Sequence, residues 1–287
     1  MTLAELEARV DVLYAASASA TPPPDAMDVV AALVDHLERG EVRAARRDDE
    51  GSWHAVPWVK RGILLAFRFG RIVPMGEPRL GDPYDSAPFH DKDTLPARAF
   101  TPDDRVRVVP GGSAVRRGAF VAPGVVCMPP MYINVGAYVD TGTMIDSHAL
   151  VGSCAQVGRD VHLSAAAQLG GVLEPINASP VVIEDEVVVG GNTGVYEGTI
   201  VRRRAVLGAG VVLTRGTPVF DLVGETVHRA STERPLEIPE DAVVVAGARA
   251  IRSAWAEERG LSLYSPVIVK YRDEKTDAAT ALEEGLR

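Results

Sequence analysis

One sequence feature limits the possible folds of this chain more than any other: an aliphatic residue recurs at every sixth position. The repeat first runs through Val109, Val115, Val121, Cys127, Ile133, Val139, Ile145, Val151, Val157, Leu163 and Leu169. It slips once and continues through Ile183, Val189, Val195, Val201, Leu207 and Leu213. This period fits neither an α-helix, whose period is about 3.6, nor the alternation of a half-buried strand. It fits a chain that turns a corner after each short strand.

The residues two positions before each aliphatic are mostly small, as a crowded corner requires. They include Ser113, Ala119, Ala137, Thr143, Ala149, Ala155, Ala167, Thr193, Thr199 and Ala205. Glycines between them suit turns with unusual dihedral angles. The pattern predicts a mainly β chain, folded as a left-handed parallel β-helix in which each coil buries its neighbours' faces. About seventeen strands, with three in each coil, predict roughly five to six coils.

The repeat divides the chain into three parts. We predict an N-terminal α/β domain over 1–106, the β-helix over 107–248 and a small C-terminal strand and helix segment over 249–287. Turn-forming residues predict loops that leave the coil near 170–182 and 214–240. Loops that project from a rigid scaffold are places where function concentrates.

The flanking parts carry weaker patterns. Amphipathic spacing predicts two helices at the start of the chain, and Asp25 is a fair N-cap for the second. Residues 53–69 fit a strand followed by either a helix or a second strand. Residues 261–271 read as a strand, and the charged segment after them reads as a helix that extends to Leu286.

Composition narrows the classes of function. The formal net charge of −9 argues against nucleic acid as the main partner, because phosphate binding requires clustered positive charge. No apolar run reaches the roughly 18 residues of a membrane span, and the N-terminus does not read as a signal peptide. We therefore expect a cytoplasmic protein that acts on small molecules.

The polar residues of the coil point to acyl transfer more than to a metal site. A catalytic zinc site of the carbonic anhydrase type requires three histidines, and the repeat offers only His148 and His162. We therefore expect no metal. Many hexapeptide acyltransferases use a histidine of the coil as general base, although a histidine at a solvent corner is more often an ordinary surface residue. The fold alone does not decide between acyl transfer and a metal site.

Several segments carry a more specific resemblance. They are 58–61, 107–111, 132–140, 142–146, 151–158, 161–164, 170–175 and 267–270. Their amino-acid sequences resemble the tetrahydrodipicolinate N-succinyltransferase family, and the resemblance extends over nearly the whole chain. The resemblance implies a homotrimeric left-handed β-helix with active sites between subunits. It also implies transfer of a succinyl group from succinyl-CoA to 2-amino-6-oxopimelate, in the diaminopimelate route to lysine.

The resemblance also assigns roles to individual residues. The family's substrate-contacting arginine falls on Arg107, its substrate-contacting and catalytic aspartate on Asp146, and Glu174 belongs to a matching loop. Physical chemistry agrees, because an arginine fork pairs with a carboxylate and the attacking ammonium must lose a proton to a nearby base. The ordinary alternatives are a surface charge for Arg107 and a turn residue for Asp146.

The sequence departs from the family's pattern over 191–198. A glutamate given a catalytic role in the family is Gly194 here, so that role cannot be transferred. Glu197 matches the pattern's second glutamate and is our other catalytic candidate. An arginine of the pattern becomes Asn192, which bears on recognition of the acyl group. With His148 standing where tryptophan is common, the base remains open among Asp146, Glu197 and His148.

Coenzyme A is expected on the later coils. The predicted contacts are Gly190, Gly191, Asn192, Arg202, Arg203, Gly208 and Ala209. Glycines allow pantetheine to approach the backbone, and the arginines could meet phosphate. The alternative hypothesis is that these arginines form a charged, solvent-exposed edge that binds no ligand.

We expect direct attack of the amine on the thioester. Because Cys127 and Cys154 fall at or near interior positions, an acyl-cysteine intermediate is disfavoured. Backbone N–H groups near Gly190 and Gly191 would meet the oxyanion. Two alternatives stay open: an acetyl-CoA-dependent N-acetyltransferase acting on the same or a related amino dicarboxylate, and a non-catalytic hexapeptide scaffold that binds partners.

Overall fold

The chain is organised around a coil with three flat faces. A computed structural model describes residues 1–16, 22–76 and 89–276. Within them, two-residue strands stack in parallel into three sheets, which are the faces of the coil. Each strand pairs with the third strand after it, so one full coil contains three strands and three corners.

We number the faces in the order in which the chain meets them from Ala114. The first face comprises Ala114–Val115, Tyr132–Ile133, Leu150–Val151, Gln168–Leu169, Gly194–Val195 and Val212–Leu213. The second comprises Phe120–Val121, Tyr138–Val139, Gln156–Val157, Val182–Ile183, Ile200–Val201 and Glu237–Ile238. The third comprises Arg107–Val108, Val126–Cys127, Met144–Ile145, His162–Leu163, Val188–Val189, Val206–Leu207 and Ala242–Val245, extended by Val267–Tyr271, Val219–Asp221 and Thr226–His228. Each corner takes the number of the face that it follows.

The aliphatic residue of each hexapeptide points into the coil, as predicted. From Val115 to Leu213 every one of these residues belongs to a single core and is at most 4% exposed. The small residues two positions earlier, such as Ala155 and Thr193, are also buried. Burying one such aliphatic side chain contributes about 1.5–3 kcal/mol, so the repeat itself holds the coil together.

The first position of the predicted repeat is wrong by one residue. Val108, not Val109, pairs with Cys127 in the third face. The chain then needs an additional residue to reach Ala114, and Gly111 and Gly112 with φ of 145° and 92° accommodate the wider corner. Val108 remains 36% exposed, because Arg107–Val108 is the outermost strand of the third face.

The two predicted loops differ in what they contain. The first leaves the coil after Leu169 and returns at Val182. The second contains the hairpin Val219–Asp221 and Thr226–His228, and Glu237–Ile238 returns to the second face beside Ile200–Val201. The prolines of this segment suggested a loop, yet Ile238 is fully buried in the coil core.

The N-terminal part packs against the first corner. Its helices are α1 (Leu3–Ala16), α2 (Ala26–Glu38) and α3 (Pro57–Phe69), with the hairpins Ala45–Arg47 with Trp53–Ala55 and Ile72–Met75 with Phe89–Lys92, and a short 3₁₀ helix at Pro102–Asp104. Val135 and Cys154 of the coil share a buried cluster with these helices. Asp25 stands at the N-cap of α2, but its carboxylate pairs with Arg9 at 2.6 Å instead of capping the helix.

The C-terminal part closes one end of the third face. Ser262–Tyr264 pairs with Ala248–Ala250, and Val267–Tyr271 pairs with Ala242–Val245. The short helix α4 (Ala254–Glu257) lies between Ala248–Ala250 and Ser262–Tyr264. The predicted helix towards Leu286 falls mostly outside the described residues. In the ranges that the structure describes, no helix has the length and apolarity to cross a membrane.

Candidate active site

The third corner brings together most of the predicted site residues. Asp146, Ser164, Gly190 and Gly208 each follow a strand of the third face, so they stack along one edge of the coil. Backbone hydrogen bonds connect these coils, from Gly190 N–H to the Leu207 carbonyl at 2.7 Å and from Gly210 N–H to the Gly191 carbonyl at 2.9 Å. Asn192 and Ala209 occupy the same corner. Along this edge the acidic Asp146 therefore comes first, and small residues follow it in the later coils.

Asp146 has one engaged oxygen and one that faces a histidine. Its Oδ1 accepts a hydrogen bond from Ser147 N–H at 2.7 Å, as a turn residue does. Its Oδ2 lies 3.9 Å from Nε2 of His162, and the Asp146 side chain is 33% exposed. The carboxylate is thus held in place by its own corner while its second oxygen stays within reach of a ligand. His148 is exposed at the same corner, with φ of 63°.

The glycines of this edge bring the coils into close backbone contact. A Cβ added at Gly190 would lie 2.6 Å from the Ala209 nitrogen and 2.7 Å from the Leu207 carbonyl oxygen. Gly190 uses its own N–H within the coil, whereas no acceptor for the N–H of Gly191 occurs among the described residues. Of the two predicted oxyanion donors, Gly191 is therefore the one whose amide is available to a ligand.

Glu174 and Glu197 lie together at the first corner, across the first face from Asp146. They line a cavity of about 740 Å³ with Tyr196, Arg215 and the backbone near Gly170. Glu197 Oε2 accepts a hydrogen bond from Arg215 N–H at 2.8 Å, so it also caps the next coil. The Arg215 guanidinium donates to two backbone carbonyls, those of Ser231 and Thr232.

Arg107 lies on the third face, close to the start of the coil. It is exposed in Arg107–Val108, two strands from Met144–Ile145, the strand that Asp146 follows. At about 4.8 Å between neighbouring strands, the two positions are about 10 Å apart along the coil. A long guanidinium side chain and the Asp146 carboxylate can therefore meet one extended substrate.

The predicted arginine contacts for coenzyme A lie at a different corner from the glycines. Arg202 donates to Glu184 at 3.0 Å and to Glu237 at 2.7 Å. Arg203 pairs with Glu186 of the preceding coil. This is the second corner, separated from Gly208 and Ala209 by a strand of the third face. The structure thus matches these arginines with carboxylates of their own chain and does not bring them to the glycine edge.

Both cysteines are poor nucleophiles in this fold. Cys127 points into the coil core, and Cys154 is buried beneath the N-terminal helices. Burial raises the pKa of each thiol to about 12. Because the thiolate is the reactive form, neither side chain suits acyl transfer at neutral pH.

Sequence reasoning missed Tyr196 and Arg215 as cavity residues. A signal for Arg215 was available, because Glu197 and Arg215 are 18 positions apart and so occupy equivalent places on successive coils. The same spacing separates Glu184 from Arg202. Counting by whole coils would have predicted both contacts. In the three described ranges, no group of three or more His, Cys, Asp or Glu is arranged to hold a metal ion.

The architecture and the comparisons with known proteins define the class and then the family. A three-faced parallel coil with this period is a hexapeptide-repeat protein. A family model described as "Hexapeptide repeat of succinyl-transferase" matches residues 180–215, and one described as "Tetrahydrodipicolinate N-succinyltransferase N-terminal" matches residues 5–69.

Similar proteins match over almost the full length. A 2,3,4,5-tetrahydropyridine-2,6-dicarboxylate N-succinyltransferase of Albidiferax ferrireducens is 42% identical over 94% of this chain and 92% of its own. A protein of the same name from Afipia carboxidovorans is 38% identical over 100% of both chains. The chain therefore belongs to the 2,3,4,5-tetrahydropyridine-2,6-dicarboxylate N-succinyltransferase family, which confirms the resemblance seen in the sequence.

A solved structure is similar in fold. It is a protein from Campylobacter jejuni described as a 2,3,4,5-tetrahydropyridine-2-carboxylate N-succinyltransferase, with a TM-score of 0.53 and 15% identity. The match covers 84% of this chain and 62% of that one, so this chain spans less than two thirds of the solved protein.

Proposed function

We propose that this chain transfers a succinyl group from succinyl-CoA to the amine of 2-amino-6-oxopimelate, in the diaminopimelate route to lysine. Family membership over the full length supports this activity. The observation that carries the chemistry is the third corner, where Asp146 presents a carboxylate at one end of a glycine-lined edge. Such an edge suits a thioester that must lie close to the backbone.

The proposed reaction is direct attack within a ternary complex. Asp146 accepts the proton that the ammonium of the acceptor loses, through its outward oxygen, and the amine then attacks the thioester carbonyl. The Gly191 N–H donates to the oxyanion that develops. As the tetrahedral intermediate collapses, the nitrogen loses its second proton, and the departing thiolate of coenzyme A takes up a proton, so an amide and free coenzyme A result.

The other polar residues hold the acceptor. Arg107 pairs with one carboxylate, as a planar guanidinium does well. Glu174 and Glu197 lie at the first corner, across the first face from Asp146.

We propose that the coil is left-handed and that three subunits assemble so that the first corner of one lies near the third corner of another. A cytoplasmic location fits the supply of coenzyme A thioesters.

We propose that coenzyme A binds the glycine edge through Gly190, Gly191, Asn192, Gly208 and Ala209. Arg202 and Arg203 are assigned instead to the ion pairs of the second corner. Asn192 is neutral, so the edge carries no fixed cation of its own for the free carboxylate of a succinyl group. For this reason acetyl transfer to the same acceptor remains our second candidate.

The proposed mechanism predicts a product without an acyl-enzyme. Protein incubated with succinyl-CoA alone should keep its original intact mass, because neither cysteine is reactive. Adding 2-aminopimelate should release free coenzyme A and form N-succinyl-2-aminopimelate, detected by mass spectrometry. A succinylated protein that forms without acceptor and then passes its acyl group to 2-aminopimelate would contradict direct attack.

A further inference from the structure

The ring of Tyr196 lies in a space that two glycines keep open. A Cβ added at Gly194 would lie 2.8 Å from both Cζ and the hydroxyl oxygen of Tyr196, and one at Gly170 would lie 2.7 Å from its Cδ1. Neither Gly170 nor Gly194 has a positive φ, so the backbone conformation does not require glycine at these positions. Glycine weakens a strand. Space for the Tyr196 ring is therefore the physical reason for both residues.

The backbone of Tyr196 is fixed as firmly as its ring. Its N–H donates to the Leu213 carbonyl at 2.9 Å, and its carbonyl accepts from Thr199 N–H at 3.1 Å and Thr199 Oγ1 at 2.8 Å. The ring turns back from the first corner over the outward side of Gly194. It therefore holds its hydroxyl over the first face, beside Gly194.

The Tyr196 hydroxyl has no hydrogen-bond partner among the described residues, although the side chain is half-buried. The residue Tyr196 lines the same cavity as Glu174, Glu197 and Arg215. The cavity is therefore lined by two carboxylates and by a guanidinium that, within the described ranges, donates to backbone carbonyls, and the Tyr196 phenol supplies a further donor. A ligand with both an ammonium and a carboxylate group would satisfy this set.

We propose that Tyr196 contacts the substrate of the reaction, by donating a hydrogen bond from its hydroxyl to a substrate carboxylate. The inference rests on the proposed function, since the acceptor and the succinyl group both carry carboxylates. A rigid ring makes the hydroxyl a selective donor, because its direction is set before the ligand arrives. A hydrogen bond to a charged group is among the stronger ones.

The test uses Tyr196→Phe, which removes the hydroxyl and keeps the ring. Direct calorimetric titration should show 2-aminopimelate or succinyl-CoA binding about 10- to 100-fold more weakly than to the unchanged protein. Weaker 2-aminopimelate binding assigns the hydroxyl to the acceptor. Weaker succinyl-CoA binding with unchanged acetyl-CoA binding assigns it to the succinyl group. If both ligands keep their affinity within twofold, the inference is wrong.

Two further variants separate contact from packing. Gly194→Ala puts a methyl group where the phenol lies, so the displaced ring should cause the same loss of affinity in a folded protein. Tyr132→Phe, on the same face three strands away, removes a hydroxyl that lies 3.4 Å from Asn134 and should leave both affinities unchanged. A purely packing role for Tyr196 predicts that Tyr196→Phe is silent while Gly194→Ala is harmful.

The binding measurement is independent of turnover. Should the unchanged protein bind 2-aminopimelate but transfer no acyl group, the proposed function fails, while the effect of Tyr196→Phe on binding still decides the role of the hydroxyl. If the unchanged protein binds neither 2-aminopimelate nor succinyl-CoA, the proposed function and the inference are both wrong.

Discussion

Replacing Asp146 with asparagine is expected to lower kcat by about 100- to 10,000-fold, the range that a general base contributes. Asparagine keeps an oxygen that can accept the hydrogen bond from Ser147 N–H, so the corner itself should stay intact. It cannot take a proton from the ammonium of the acceptor. Thiol release under saturating substrates measures the rate, and the thermal midpoint and molecular mass check that the fold and assembly are unchanged.

Asp140 provides a matched control for this experiment. Its Oδ1 accepts from Thr141 N–H at 2.8 Å, the same turn contact that Asp146 makes, but it lies at the second corner. Asp140→Asn should therefore retain the full rate. If Asp146→Asn is as active as Asp140→Asn, Asp146 is not the base, and Glu197 and His148 become the residues to replace.

Replacing Gly190 with alanine is expected to lower the free energy of unfolding by about 1–3 kcal/mol, the usual cost of overpacking a well-packed interior. The added Cβ would meet the Ala209 nitrogen and the Leu207 carbonyl oxygen at 2.6 Å and 2.7 Å. Both are backbone atoms of the next coil, so no side chain can rotate away. Urea unfolding of the variant and the unchanged protein gives the difference.

A second glycine controls for the loss of glycine itself. At Gly216 an added Cβ would have only Thr214 Oγ1 nearby, at 3.9 Å, and φ is not positive. Gly216→Ala should leave the unfolding midpoint unchanged or raise it slightly. Equal stability of Gly190→Ala and the unchanged protein would mean that the coils are less closely stacked at the third corner than the structure indicates.

The coil could be predicted from the sequence because its core residues recur at a constant spacing. An interior position every sixth residue needs no knowledge of distant contacts, and burial from Val115 to Leu213 follows it throughout. The same rule fails where neighbours are lacking, at Val108 and Val109. At the prolines of 214–240 the coil resumes earlier than the predicted loop allows, because Ile238, six residues before Val244, is already buried.

The candidate site was harder to predict, because a corner is defined by where the chain stands within a coil. Asp146, Gly190 and Gly208 lie along one corner, whereas Arg202 follows a strand of the second face and belongs to another corner. The opposite charges of Glu184 and Arg202, 18 positions apart, carry that information. The fit of Tyr196 over Gly194 depends on side-chain direction, which no repeat encodes.

The central claim is that this chain is a succinyltransferase, and competition between acyl donors tests it most directly. Purified protein is given 2-aminopimelate with succinyl-CoA and acetyl-CoA at equal concentration, and the two N-acyl products are quantified by mass spectrometry. We expect N-succinyl-2-aminopimelate to be the dominant product. Predominant N-acetyl-2-aminopimelate, or no acylated product at all, would contradict the claim.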